Sequence, residues 1–99
     1  MYQNRKQVLA AKKRNIQIKK YLNGNMYKGQ LKNDKPEGHG VMTYNDGENY
    51  DGQWKAGKEH GEGIYTYANG DIFHGKWKAG KKEGHGIFKY VKGNIYEGK

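Results

Sequence analysis

A strict 23-residue period, running without a gap from Gly24 to the last residue, constrains this chain more than any other feature. Shifting the sequence by that length superimposes Gly24, Gly47, Gly70 and Gly93, then Tyr27, Tyr50, Phe73 and Tyr96. Gly29, Gly52, Gly75 and Gly98 follow, and then Leu31, Trp54 and Trp77. After a turn come two more glycine positions, Gly38, Gly61 and Gly84, then Gly40, Gly63 and Gly86. Val41, Ile64 and Ile87 come next, and Tyr44, Tyr67 and Tyr90 close the unit. A unit this short cannot bury a hydrophobic face alone, so stacked neighbours must supply the missing cover.

Each unit splits into two alternating runs. In Tyr50-Asp51-Gly52-Gln53-Trp54 the first, third and fifth residues share a face, and in Gly61–Tyr67 so do Gly61, Gly63, Tyr65 and Tyr67. Alternation of period two between turn residues predicts strands. Asn23-Gly24, Asp46-Gly47, Asn69-Gly70 and Lys92-Gly93 connect the units, and these are hairpin pairs in which both residues tolerate positive φ. Inside the units, Lys55-Ala56-Gly57-Lys58 and Lys78-Ala79-Gly80-Lys81 predict turns with glycine in the left-handed position. The first unit departs, with Leu31 for tryptophan, Asp34 for the turn glycine, and Pro36 in the loop, as a capping unit does. Ile18-Lys19-Lys20-Tyr21 aligns with Val41–Tyr44 as the second strand of a degenerate earlier unit, making eight strands. The organisation expected is a basic, helical N-terminal arm over 1–17 and a sheet over 18–99. The sheet divides into a half repeat at 18–26, repeats at 27–49, 50–72 and 73–95, and a partial repeat at 96–99.

Composition agrees with a thin sheet. Only 33% of the 99 residues are apolar, while 16 glycines and 9 tyrosines stand against one proline. That is too much glycine for helices and too many aromatics for a disordered linker. The net charge of +9 is uneven: Arg5, Lys6, Lys12, Lys13, Arg14, Lys19 and Lys20 face no acid before residue 24. The remaining twelve lysines stand against ten acids and leave only +2. No apolar run approaches the roughly 20 residues that span a bilayer, and Val8-Leu9-Ala10-Ala11 is too short for a secretory signal core. With no cysteine, disulfide and thiolate chemistry are absent, and an intracellular, cytoplasmic protein is expected.

The run Tyr-Asp-Gly-Gln-Trp-Lys-Ala-Gly-Lys-(x)2-Gly-Glu-Gly at 50–63 resembles the MORN (membrane occupation and recognition nexus) repeat. Residues 73–86 repeat it with Phe73 in the tyrosine position, and 27–40 follow more loosely; the resemblance covers about residues 18–99. It implies an all-β fold, a single-layer twisted antiparallel meander of stacked hairpins in which aromatics cover the glycines of neighbouring strands. It also implies a scaffold in cytoskeletal, ciliary or membrane-junction assemblies. Relatives that carry these repeats beside a lipid-kinase or methyltransferase domain have a catalytic part that these residues do not encode.

The residues themselves offer no catalytic constellation, so no enzyme activity and no cofactor are expected. Gly61-Glu62-Gly63 has no following helix to meet a phosphate, so its glycines read as packing. His39 and His85 share a phase two units apart, roughly 20 Å across the sheet, and His60 and His74 lie in other phases. Solvated histidines are expected rather than a metal site. Serine and cysteine are both absent, and Asp51, Glu62, Asp71 and Glu83 read as solvating charges.

Tyr27, Tyr50, Phe73 and Tyr96 should form one ladder and the tryptophans another, chiefly as core. One face of a single layer stays open, however, and Met42, Tyr65 and Phe88 share a phase. With Tyr50, Trp54 and Trp77 they form the candidate protein-contact set. The seven basic residues of the arm and first strand (Arg5, Lys6, Lys12, Lys13, Arg14, Lys19 and Lys20) form the second candidate set, with Asn4 capping a helix that runs to about Arg14. They suit an acidic protein or, as the alternative, anionic lipid at a membrane surface. Nucleic acid is disfavoured because no aromatics interleave the arm's charges. The outer strands, Ile18–Tyr21 and Gly93–Lys99, invite an edge-paired homodimer or an added strand. The function expected is a non-catalytic scaffold within a larger cytoskeletal, ciliary or membrane-associated assembly.

Overall fold

The computed structural model describes residues 16–93 and 95–98. The predicted helix and the basic side chains Arg5, Lys6, Lys12, Lys13 and Arg14 lie outside the described residues. The rest is a single sheet of eight antiparallel strands in sequence order, and no helix occurs among the described residues. The strands are β1 (Gln17–Lys20), β2 (Met26–Lys32), β3 (Lys35–Thr43), β4 (Asn49–Lys55), β5 (Lys58–Thr66), β6 (Ile72–Lys78), β7 (Lys81–Lys89) and β8 (Ile95–Gly98). The sheet is elongated, 52 × 32 × 24 Å.

Register turns the sequence period into rows that cross the sheet. Gly29, Gly40, Gly52, Gly63, Gly75, Gly86 and Gly98 pair in succession from β2 to β8. Two residues along each strand, on the same face, lies the row Lys19, Tyr27, Met42, Tyr50, Tyr65, Phe73, Phe88 and Tyr96. Glycine leaves a groove along this face, and the tyrosine rings fill it. The Tyr27 ring lies over Gly40 and the Tyr50 ring over Gly63, so closely that a Cβ on either glycine would enter the ring. Burial in a single layer thus comes from aromatic rings lying flat on backbone.

Glycine takes the expected left-handed position in both kinds of turn, and the residue before it is what differs from expectation. Between units only the glycine is left-handed, with φ of 98° at Gly24, 91° at Gly47, 96° at Gly70 and 95° at Gly93. Gly24 N–H donates to Tyr21 O (3.0 Å) and Tyr21 N–H to Asn25 O (2.9 Å), a three-residue loop that recurs at Tyr44 and Tyr67. The preceding Asn or Asp uses its side chain instead: Asn23, Asp46 and Asn69 each accept the N–H two residues on, all at 2.9 Å.

Inside the units both central residues are left-handed: Asn33 and Asp34 (52° and 65°), Ala56 and Gly57 (50° and 84°), Ala79 and Gly80 (51° and 84°). This two-residue turn matches strand twist but strains an alanine, whose Cβ crowds the following carbonyl. Ala56→Asn and Ala79→Asn are therefore each expected to raise the unfolding free energy by about 0.5–1 kcal/mol. Urea titration with unchanged m measures this; a lowered midpoint would contradict the turn geometry.

Each unit is also clipped to the one before it at both ends. Gly57 N–H donates to Pro36 O and Gly80 N–H to Glu59 O, both at 3.0 Å. At the other end, Asn25, Glu48 and Asp71 accept from the backbone N–H of Asn45 (2.9 Å), Ala68 (3.1 Å) and Val91 (2.9 Å). Among the described residues there is one sheet, and these clips tie each of its hairpins to the next.

Candidate functional site: the aromatic face

The core is a herringbone of aromatic rings. Trp54 stands edge-on between Tyr27 (5.6 Å, 86°) and Tyr50 (5.0 Å, 88°). Trp77 stands the same way between Tyr50 (5.2 Å, 80°) and Phe73 (5.7 Å, 81°). Edge-to-face contact sets the positive ring edge on the negative ring face. The polar tips are satisfied by backbone: Trp54 Nε1–H donates to Gly40 O (3.0 Å), Tyr27 O–H to Gln30 O (2.7 Å) and Tyr50 O–H to Gln53 O (3.0 Å).

Four of the six candidate contact residues belong to this core. Tyr50, Trp54, Trp77 and Met42 are buried in the free chain, at 0%, 4%, 6% and 7% exposure. Tyr65 and Phe88 are only partly buried and pack at its margin. Of the six, therefore, those two keep open ring surface, and three neighbours on the same face, Tyr44, Tyr67 and Tyr90, share it. Tyr44 stacks on Tyr65 (6.0 Å, 26°), Tyr65 meets Tyr67 (4.9 Å), Tyr67 stacks on Phe88 (6.5 Å, 20°), and Phe88 on Tyr90 (6.0 Å, 11°). Tyr90 is 37% exposed. A shallow, open depression of about 400 Å³ lies along this ledge, lined by Glu48, Tyr67, Asp71, Phe88 and Tyr90 among others. The signal for the added tyrosines was in the sequence, since each lies two residues past Met42, Tyr65 or Phe88 on the same face.

Two carboxylates sit against the ledge. Tyr65 O–H donates to Glu48 Oε1 (2.6 Å) and Tyr44 O–H to Glu59 Oε2 (2.8 Å). Burial, then the carboxylate partner, raises the pKa of both Tyr65 and Tyr44 well above the ordinary phenol value of 10. Burial likewise pushes Tyr27 and Tyr50 up to about 12. All four shifts are upward, so the neutral phenols stabilise the fold fully below pH 10, and that stabilisation is lost as pH rises through the folded values. Unfolding free energy is expected to stay level from about pH 7 to 9 and to fall steeply from about pH 10 to 12. Urea titrations across that range check this; a level profile through pH 12 would contradict it.

The opposite face is polar and more open. Ile18, Val41, Ile64 and Ile87 form a row that alternates strand by strand with Lys28, Asp51 and His74. His39 Nε2 lies 3.0 Å from Asp51 Oδ1, and His74 Nε2 lies 4.0 Å from Glu62 Oε1, all four side chains at least half exposed. These histidines are solvated but not isolated, because the strand register sets a carboxylate diagonally across from each. Among the described residues no group of three His, Asp or Glu side chains is placed to hold a metal ion.

Of the basic candidates within the described residues, Lys20 is exposed, whereas Lys19 is engaged. Its Nζ reaches Asp34 Oδ2 at 2.8 Å and Asp34 O at 2.6 Å and lies 5.1 Å from the Tyr21 ring centroid. The side-chain hydrogen bond to Asp34 raises the Lys19 pKa against the opposing effect of burial. Asp34, the residue that breaks the turn pattern, thus ties β1 to the first full unit and takes Lys19 out of the basic surface.

No curated protein matches the chain. The profile of the MORN repeat matches three consecutive segments, residues 27–48, 50–72 and 73–95. MORN repeats are generally associated with protein–protein or membrane interactions. With that match in phase with the register of glycines and tyrosines across the sheet, the chain belongs to the MORN-repeat family.

Proposed function

We propose that this chain is a non-catalytic scaffold module that holds a protein partner on its aromatic face, within a cytoskeletal, ciliary or membrane-associated assembly. One observation carries this reading. Beyond the rings that close the core, a second stacked row from Tyr44 to Tyr90 remains partly open on the same face. Tyrosine supplies large contact area at small entropic cost and keeps a hydroxyl for hydrogen bonding, which is why interfaces are enriched in it.

The test is capture of partners from cell extract by the purified chain, compared with Tyr67→Ser and Tyr90→Ser. Both variants should melt near the parent and lose the captured protein. Equal capture by parent and variants would refute the assignment to this face. The uneven charge favours a second reading, a membrane-surface adaptor that uses the basic arm on anionic lipid. That reading requires co-sedimentation with acidic liposomes, lost at high salt and on deletion of residues 1–15.

A further inference from the structure

Lys82 stands where four aromatic rings converge. Its Nζ lies 5.1 Å from the Phe73 centroid, 5.2 Å from Tyr67, 5.3 Å from Phe88 and 5.9 Å from Trp77, and it contacts Tyr67 Oη at 2.5 Å. All four rings lie within the roughly 6 Å over which a ring face attracts a cation. The position is not generic to the repeat. In the first unit it is Pro36, which is buried, and in the second it is Glu59, which accepts a hydrogen bond from Tyr44. Among the described residues, only the third unit pairs an aromatic box with an ammonium at this position.

The occupant is loosely held. Lys82 is an exposed residue near the start of β7, and Tyr67 and Phe88 are half-buried walls with one side open. An exposed side chain changes rotamer in picoseconds to nanoseconds, and exposed cation–π contacts are weak, so the ammonium can leave the box without the sheet unfolding. Phe73 and Trp77 form the floor, fixed by the core at 2% and 6% exposure. A preformed aromatic floor, two open walls and a displaceable ammonium describe a site whose ligand chemistry is shown by its own resident.

We propose that Tyr67, Phe73, Trp77 and Phe88 bind the alkylammonium of a lysine, free or methylated, presented by a protein partner, and that Lys82 fills the site when no partner is bound. The inference rests on the reading of the aromatic face as a protein-contact surface. It adds the chemical class of one contacting side chain. A lysine is favoured over a lipid headgroup because the resident is itself a lysine stem delivered from an extended backbone. Methylation should strengthen binding, since a methylated ammonium gives up less hydration on entering the box.

The experiment follows the two indole N–H signals by NMR in the full chain, its Lys82→Ala variant and, as a second vacancy, Lys82→Gln. The probes are tetramethylammonium chloride, the neutral isostere 3,3-dimethyl-1-butanol, a trimethyl-lysine peptide and phosphatidylcholine vesicles. Tetramethylammonium and the peptide should move the Trp77 signal saturably and leave Trp54 in place. Both variants should bind a few-fold more tightly than the parent, by about two- to fivefold, because the weakly held resident no longer competes. In the parent, the Lys82 ε-methylene protons should start upfield, under the rings, and move downfield as the cation enters. Three results would each overturn the inference: no Trp77 response in either vacated variant, equal binding of the neutral isostere, or binding of vesicles but not of peptide. A chain that captures a partner through its ledge but ignores the cation sinks this inference alone. One that takes the cation but captures no protein sinks the functional reading above.

Discussion

Gly52→Ala is expected to destabilise the fold by about 3 kcal/mol or more, near or beyond what a sheet this thin can lose. A Cβ built on Gly52 would lie 2.5 Å from Gly63 Cα and 2.6 Å from Glu62 O, both on the neighbouring strand's backbone. Backbone cannot step aside without parting β4 from β5. Gly63→Ala meets a different nearest obstacle, since the atoms closest to its new methyl belong to the Tyr50 side chain, which also stands 2.7 Å from a Cβ at Gly52 but behind the closer backbone. Tyr50→Leu should therefore rescue part of the cost of Gly63→Ala and little of the cost of Gly52→Ala. A double-mutant cycle on unfolding free energies separates the two cases. Gly47→Ala calibrates the backbone effect alone, because its φ is +91° and open space surrounds it, and a cost of about 1 kcal/mol is expected there. Equal penalties at Gly47, Gly52 and Gly63 would mean that the glycine row serves turn freedom rather than ring packing.

Trp54→Ala is the second large effect, with an expected loss of about 3–5 kcal/mol. Trp54 is the ring that joins two units, edge-on to Tyr27 on one side and Tyr50 on the other. Its removal opens a cavity and leaves Gly40 O without the indole donor that reaches it at 3.0 Å. Trp54→Leu should cost clearly less than the alanine, because the first unit already carries Leu31 at this position, partly buried against the core. Thermal melts and urea titrations of the three proteins read the order directly. A leucine variant no better than alanine would show that the hydrogen bond, rather than ring volume, carries the effect.

Much of the fold was legible because the repeat writes the same pattern three times. Eight strands, their order and the faces of Tyr50, Gly52 and Trp54 follow from period-two alternation within a 23-residue period. The turn types were not legible in the same way. Asn-Gly and Asp-Gly suit both a two-residue loop and a three-residue loop with an Asx hydrogen bond, and the local residues do not choose between them. Ala56 at φ 50° was hidden for a related reason: tertiary pairing on both sides holds an alanine where its own preference would not.

The candidate site was half legible. Parity placed Tyr65 and Phe88 on the aromatic face, but only the depth of packing separates Trp54, a core ring, from Tyr90, an open one. Lys82 could not be read at all. Its meaning depends on four rings from two strands, β6 and β7, and from the turn that follows β5, and its counterparts Glu59 and Pro36 gave no repeat signal.

The central claim is that the tyrosine ledge, rather than the isoleucine face, meets the partner. Photo-crosslinking tests it most directly, with benzoyl-phenylalanine placed at position 90 in one protein and at position 64 in another. Both positions are exposed, at 37% each, on opposite faces of one layer, so access is matched. A crosslinked protein captured from position 90 and not from position 64 is the predicted result. The reverse pattern would contradict it.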